Sequence, residues 1–416
     1  MDARKSIPFL DLITPHLELE EELLQSFQDI IRSASFIGGP IVERFERNFA
    51  RFCNAEHCVG VGNGTDALRF ALIAAGIGKG DIVVTVPNTF AATVEAIIQA
   101  GAIPHFVDVD SQTCNMSTDS LREYLHTQCE ISNSSKSTVH RSSGQPVKAI
   151  LPVHLYGQMC DMDSLTLLAE EYGLIVIEDA CQAHGSEYFS SKNGVWQRAG
   201  SIGKAAAFSF YPGKNLGACG EAGAVTTNDE LIAQRVRMIR DHGQNKKYHH
   251  LIEGYNGRLD TLQAAMLQVK LPHLDGWNEK RRQAAAFYNE RLRTTDDIKT
   301  PHEPSWSRAV YHLYVVRVEQ RDELQKYLTQ ENIGTGLHYP IPIHLQKAYA
   351  HLGYTAGSFP VAEKIAGEIL SLPMYPQLRN EQQEHVINVL NEFYEPNSKV
   401  EEIIRVRQGG VHPMRA

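Results

Sequence analysis

In "FSFYPGKNLGACGEAGAV", residues 208–225, one lysine stands between an apolar, strand-like run and a glycine-rich loop. Gly213 precedes Lys214, and Gly217, Gly220 and Gly223 follow it. A lysine amine in such a frame can form a Schiff base with a carbonyl once its setting lowers its pKa. The plainer alternative is a solvated loop lysine. A Walker A loop is excluded, because Asn215 follows Gly213-Lys214 and Phe208 holds the place of the first glycine. Upstream, "VIEDACQAHGS" (176–186) delivers Asp179 to the C-terminal end of a buried strand. That edge of a parallel α/β sheet is where ligands sit. A carboxylate there needs a partner, and a protonated ring nitrogen would serve. The alternative is a cap on the next helix. Gln182 and His184 lie just beyond and could face the same pocket.

A third stretch, "VGNGTDAL" (61–68), reads as a strand end, a glycine turn and a helix start. Free N–H groups and the helix dipole suit a phosphate at such a place, and Thr65 adds a hydroxyl. Gly60 and Gly62 fit a dinucleotide fingerprint, but Thr65 takes the third glycine's place. The signal is therefore one phosphate, or simply a capped helix after a tight turn. Phosphate site, acid and lysine, in that chain order, meet the three needs of pyridoxal 5'-phosphate (PLP): its phosphate, its pyridine nitrogen and its aldehyde. Nothing in the pattern calls for a metal.

The elements that must hold these groups alternate between residues 55 and 240. Strand candidates are 57–62, 82–87, 103–109, 147–155, 174–180, 204–210 and 223–227. Helical spacing covers 65–76, 90–101, 229–241 and 259–295, the last as two helices. Continuous apolar strands between helices predict an α/β fold with a mostly parallel sheet covered on both faces. A smaller α+β unit is expected to follow, with a strand at 312–318 and helices near 321–331, 359–369 and 379–394. The expected division is a large cofactor-binding domain over 1–275, a small C-terminal domain over 276–396 and a tail over 397–416. The Ser-rich stretch 127–146 reads as a surface insertion.

Composition narrows the function classes. With 416 residues and 43% hydrophobic residues, the chain has ample length and material for a large core. A net charge of −9 gives no support for a nucleic-acid surface. No secretion signal and no membrane-length apolar run is evident. The seven cysteines are scattered without a CxxC pair, which predicts free thiols and a cytoplasmic protein.

The chain resembles the DegT/DnrJ/EryC1/StrS family of PLP-dependent sugar aminotransferases, from "IPFLDL" (7–12) to about residue 395. Besides the three stretches above, the likeness is carried by "FIGGPIVERFERNFA" (36–50), "LPVHLYGQMCDMD" (151–163), "GYNGRLDTLQAAML" (254–267) and "LHYPIPIHLQ" (337–346). It implies the fold type I architecture of aspartate aminotransferase. It also implies that Lys214 is the Schiff-base lysine and proton shuttle, and that Asp179 pairs with the pyridine nitrogen. Gly64, Thr65 and Ser209 would hold the phosphate, Phe90 would stack on the ring and Gln182 would contact the ring hydroxyl. Asn256 would reach the phosphate of the other subunit's cofactor, so a homodimer with shared active sites is implied. Arg258, His338 and Tyr339 match positions that touch the nucleotide-sugar, with His184 a further candidate there.

By the same resemblance the expected reaction is amination of a nucleotide-linked keto-sugar, with glutamate as donor. The pattern leans to C3 of a dTDP- or UDP-linked sugar, with C4 the alternative. Sister dehydratases carry histidine in place of the lysine, against Lys214 here. A cyclitol aminotransferase and a non-catalytic regulator are the other rivals. Glu221 and Ala222 depart mildly from the family's usual Asp and Gly.

Overall fold

The computed structural model describes residues 6–132 and 137–394. Its centre is a seven-stranded sheet built from β1 (His57–Val61), β2 (Ile82–Thr85), β3 (Ile103–Phe106), β4 (Val147–Ile150), β5 (Ile175–Asp179), β6 (Ala205–Ser209) and β7 (Gly223–Thr227). Across the sheet the order is β1-β7-β6-β5-β4-β2-β3. Only β7 is antiparallel to its neighbours, and the other pairings are parallel. Both faces of the interior strands are covered, so β2, β6 and β7 are buried at every position. That is why these segments read as unbroken apolar runs instead of alternating ones. Edge strand β3 does alternate, with Ile103 and His105 only half-buried.

Small side chains set the central spacing. Ala205, Ala206 and Ala207 of β6 let helix Gly64–Ala74 pack closely on the sheet. A fully buried carboxylate, Glu178 of β5, is satisfied by four donors. These are the N–H groups of Gly200 (2.9 Å), Ile202 (3.1 Å) and Gly203 (2.6 Å), and His154 Nε2 (3.0 Å). The Cys160 N–H points at His154 Nδ1, so Nδ1 accepts and Nε2–H donates to Glu178. Burial pushes the Glu178 carboxyl up, but these donors outweigh it and leave it below its ordinary range.

A second core forms around Tyr288, Tyr314, Leu324, Val386 and Phe393. It is organised by the antiparallel pair Tyr314–Arg317 and Ile369–Leu372 and by helices Arg321–Gln330 and Asn380–Tyr394. Helix Leu274–Leu292 joins the two cores, with Leu274 in the first and Ala284 to Leu292 in the second. Ile7 also lies in the second core and pairs with Ile333. Ile7 therefore packs with the smaller unit.

The sequence reading left out helices Glu20–Ser33, Thr118–Gln128 and Met162–Tyr172, and it missed two strand features. One is a hairpin of Glu187–Ser190 and Val195–Arg198, the other the strand Ile369–Leu372. Within the expected insertion, Cys129–Ile131 pairs with Thr138–His140, and residues 133–136 lie outside the described residues. The expected tail over 397–416 lies wholly outside them. No helix among the described residues is long and apolar enough to cross a membrane.

Candidate active site

The C-terminal ends of the parallel strands open onto a cavity of about 880 Å³. It is lined by Gly64, Thr65, Phe90, Asp179, Gln182, Ser209, Lys214, His338 and Tyr339. Nine of the twelve predicted site residues thus meet in one place. Topology explains the convergence: β5 ends on Asp179 and β6 on Ser209, while β1 leads to Asn63 and β2 to Phe90 on the same edge.

Asn63 caps helix Gly64–Ala74 by accepting the Asp66 N–H at 2.8 Å, so the N–H groups of the first turn are presented to the cavity end. A Cβ at Gly64 would stand 2.6 Å from Ser209 Cβ, so glycine is what lets the helix start and the β6 hydroxyl converge. Gly223 serves the same approach, since a Cβ there would stand 2.3 Å from Asn63 O. Together they form a cradle of backbone donors and hydroxyls at a positive helix end, which fits a phosphate. Gly64→Ala is expected to push the two sides apart at a strain of about 1–3 kcal/mol. Titration of the apoprotein with PLP, followed by absorbance, should then show roughly 10- to 100-fold weaker binding. Unchanged affinity would remove this cradle from the phosphate site.

Asp179 is 5% exposed. Its Oδ2 accepts from Thr93 Oγ1 at 2.7 Å and its Oδ1 from the Cys181 N–H at 3.2 Å. Thr89 Oγ1 lies 2.7 Å from Thr93 Oγ1, and with the Thr93 proton committed to Asp179, Thr89 is the donor. No salt bridge satisfies this buried carboxylate among the described residues, and an aromatic N–H⁺ is the partner such a site accepts. Lys214 is half-buried and aimed into the same cavity. Burial drives its ammonium below the ordinary lysine range, against the opposing pull of Cys181 and Asp179. Phe90, 55% exposed on the cavity wall, lies 5.5 Å from the Tyr339 ring. Gln182 is fixed at both ends, accepting from the Tyr156 N–H at 2.7 Å and donating to the Tyr339 hydroxyl at 3.2 Å. Cradle, unpaired carboxylate and low-pKa lysine fit PLP as a set.

Three predicted residues lie elsewhere. His184 is fully buried, with its ring 5.4 Å from Phe208 and 5.6 Å from Phe210, and does not line the cavity. The chain turns back under β6 after Asp179, so the position five residues on points into the core. Asn256 is exposed and Arg258 half-buried, outside this cavity. Arg258 donates to Asp241 at 2.5 Å and to Asn256 at 2.7 Å. His338 does line the cavity, held by Ser371 Oγ at 2.8 Å. Burial, aided by Lys214, pushes its ring down to about 4, so at neutral pH it is a neutral hydrogen-bonding group and not a cation.

Sequence reasoning missed Thr93, His312 and Phe9. The one available signal was a threonine in "AATVEAII", where the only other polar residue is Glu95. His312 lines the cavity beside Lys214 and is held by Asn215 Oδ1 at 3.2 Å. Phe9 stacks on His338 at 5.5 Å and closes the cavity from the N-terminal side.

Fold and cavity together define a PLP-dependent aminotransferase of fold type I. The chain belongs to the DegT/DnrJ/EryC1/StrS aminotransferase family, whose model matches residues 17–391. It is 44% identical to a pleiotropic regulatory protein of Geobacillus stearothermophilus, over 94% of this chain and 99% of that one. It is 43% identical to the dTDP-3-amino-3,6-dideoxy-α-D-galactopyranose transaminase of Aneurinibacillus thermoaerophilus, over 93% and 99% of the two chains. Among solved structures, S. venezuelae DesV superposes with a TM-score of 0.86 at 40% identity, covering 94% of this chain and 99% of that one.

Proposed function

We propose that the protein aminates a nucleotide-linked 3-keto-sugar, with glutamate as donor, as a cytoplasmic homodimer with shared active sites. One observation carries the reading. Among the described residues Lys214 is the only lysine or arginine lining the cavity, while Asp66, Asp179 and Glu221 are acidic. That single cation is committed to the cofactor. A sugar nucleotide brings a diphosphate, which needs cations of its own. Arg258, outside this chain's cavity, would supply one from a second copy, and Asn256 would accompany it to the cofactor phosphate. The keto position rests on sequence likeness, and the 3-amino-sugar named for the Aneurinibacillus relative supports it.

PLP, when bound, supplies an electron sink that withdraws charge from a substrate α-carbon. The remaining work falls to side chains. The Gly64–Thr65 turn and Ser209 anchor the phosphate, and Phe90 sets the plane of the ring. Asp179 holds a proton at the pyridine nitrogen, oriented by Thr93. Lys214 would hold PLP through its aldehyde and, as a free amine, would move a proton between the donor's α-carbon and C4′. His338 and Tyr339 then face the sugar, and Phe9 limits access of water.

The regulatory name borne by the Geobacillus relative belongs to that protein. Here a retained lysine, acid and phosphate cradle are parts that a non-catalytic regulator does not need. The test is to incubate the purified protein with PLP, glutamate and a panel of dTDP- and UDP-linked 3-keto- and 4-keto-sugars, with a keto-cyclitol as control. Products are identified by mass and NMR. A 3-amino-sugar nucleotide is expected. Amination only of the cyclitol, or of no member of the panel, would overturn the reading.

A further inference from the structure

We propose that Cys219 is a reactive modification site, built with His16 and Lys270 and open to hydroperoxides and other soft electrophiles. The cluster lies on the loop between Lys214 and β7, outside the cavity described above. The Cys219 sulfur is 3.7 Å from His16 Nε2 and 3.9 Å from Lys270 Nζ, and those two nitrogens are 2.7 Å apart. Lys270 is 4% exposed and takes part in no salt bridge among the described residues. Its other partner is the Gly217 carbonyl at 2.8 Å. A buried ammonium without an anion is expensive, and Cys219 is the group in reach that can become one.

The histidine is oriented for the same purpose. His16 Nδ1 lies 2.5 Å from the Leu12 carbonyl, so Nδ1–H donates there and the Nε2 lone pair faces the thiol and the ammonium. His16 can take the thiol proton when the Lys270 ammonium turns from Nε2 to the sulfur 3.9 Å away, because the one lone pair serves only one of them. The His16 contact, with lesser help from Lys270, holds the Cys219 thiol below its ordinary range despite partial burial. The Cys219 N–H is tied to Gln263 Oε1 at 2.8 Å, which fixes the backbone under the sulfur. Of the other six cysteines, five are buried and Cys181 is half-buried on the cavity wall, whereas Cys219 is exposed.

With hydrogen peroxide, the simplest hydroperoxide, the thiolate sulfur attacks one peroxide oxygen. The S–O bond forms and the O–O bond breaks. Sulfur loses two electrons and the peroxide gains them. The departing hydroxide takes the proton from His16 and leaves as water, and Cys219 becomes a sulfenic acid.

The test uses the full-length holoenzyme, limiting iodoacetamide at pH 7 and peptide mapping by mass spectrometry. Cys219 should be alkylated first, about tenfold faster than free glutathione, because an ordinary thiol is only a few per cent ionised at that pH. The rate should reach its plateau at lower pH than glutathione's. His16→Asn should bring the rate back to that of an ordinary thiol, and Cys219→Ser should remove the fast phase. Dilute hydrogen peroxide followed by dimedone should leave its adduct on Cys219. Labelling of another cysteine first, a Cys219 rate no greater than glutathione's, or an unchanged rate in His16→Asn would each overturn the proposal. Should that variant not fold, the rate and pH profile of the unmodified protein decide alone.

Discussion

Lys214→Ala is expected to lower kcat by at least about 10⁴-fold while the protein stays folded. Proton transfer by a positioned side chain contributes about 10²–10⁴ by itself. This residue is asked to do more, since it is also the proposed point of covalent attachment. No other cation lines the cavity to substitute for it. His312 and His338 are the remaining bases nearby, and burial holds both rings below their ordinary range. They lack a carbon chain that could reach where the Lys214 amine reaches. Two readouts separate this role from a structural one. Borohydride reduction of the loaded enzyme, followed by peptide mapping, should place the adduct on Lys214, and the variant should show none. The trapped fraction should also rise with pH earlier than for a free lysine, because the lowered pKa leaves more amine neutral at a given pH. A variant with more than about a tenth of normal kcat, or an adduct on another lysine, would end the assignment.

Much of this site was legible because its parts sit where strands end. Asp179 and Ser209 close runs that the alternation of strands and helices had already marked as buried. Lys214 stands out because glycines frame it. What stayed hidden depends on contacts between distant segments. Thr93 earns its place through an acceptor 86 residues away, and no local pattern announces that. Phe9 reaches the cavity only because Ile7 pairs with Ile333 and carries the N-terminal segment over the rim. His184 shows the reverse failure: nearness in sequence to Asp179 suggested the cavity, but the turn after β5 sends it under Phe208 and Phe210. Asn256 and Arg258 were singled out by likeness alone, and a single chain gives them only each other and Asp241. Their proposed roles need a second copy, so they stand or fall with the dimer, unlike Lys214 and Asp179.

Asp179→Asn should lower kcat by roughly 10- to 1,000-fold with little change in fold or in cofactor loading. Asparagine keeps the size of the side chain; its one amide oxygen can still accept from the Cys181 N–H, while Thr93 turns its hydroxyl to accept from the amide NH2, so the packing around it survives. What it loses is the negative charge. An adjacent opposite charge moves a pKa by about 1–3 units, and that is the range by which the protonated fraction at the pyridine nitrogen should fall. Thr93 and the Cys181 N–H both donate to the carboxylate and hold it turned toward the cavity. Among the described residues no arginine or lysine forms a salt bridge with it, although its charge acts on Lys214 across the cavity. A purely structural carboxylate would give a different result: lower melting temperature, poor loading and an unaltered spectrum in the molecules that do load. The discriminating measurement is the pH titration of the bound cofactor's visible absorbance, set beside kcat for the same preparation. A shifted titration with depressed turnover is expected. Normal turnover with an unshifted titration would take Asp179 out of the chemistry and leave it as a cap.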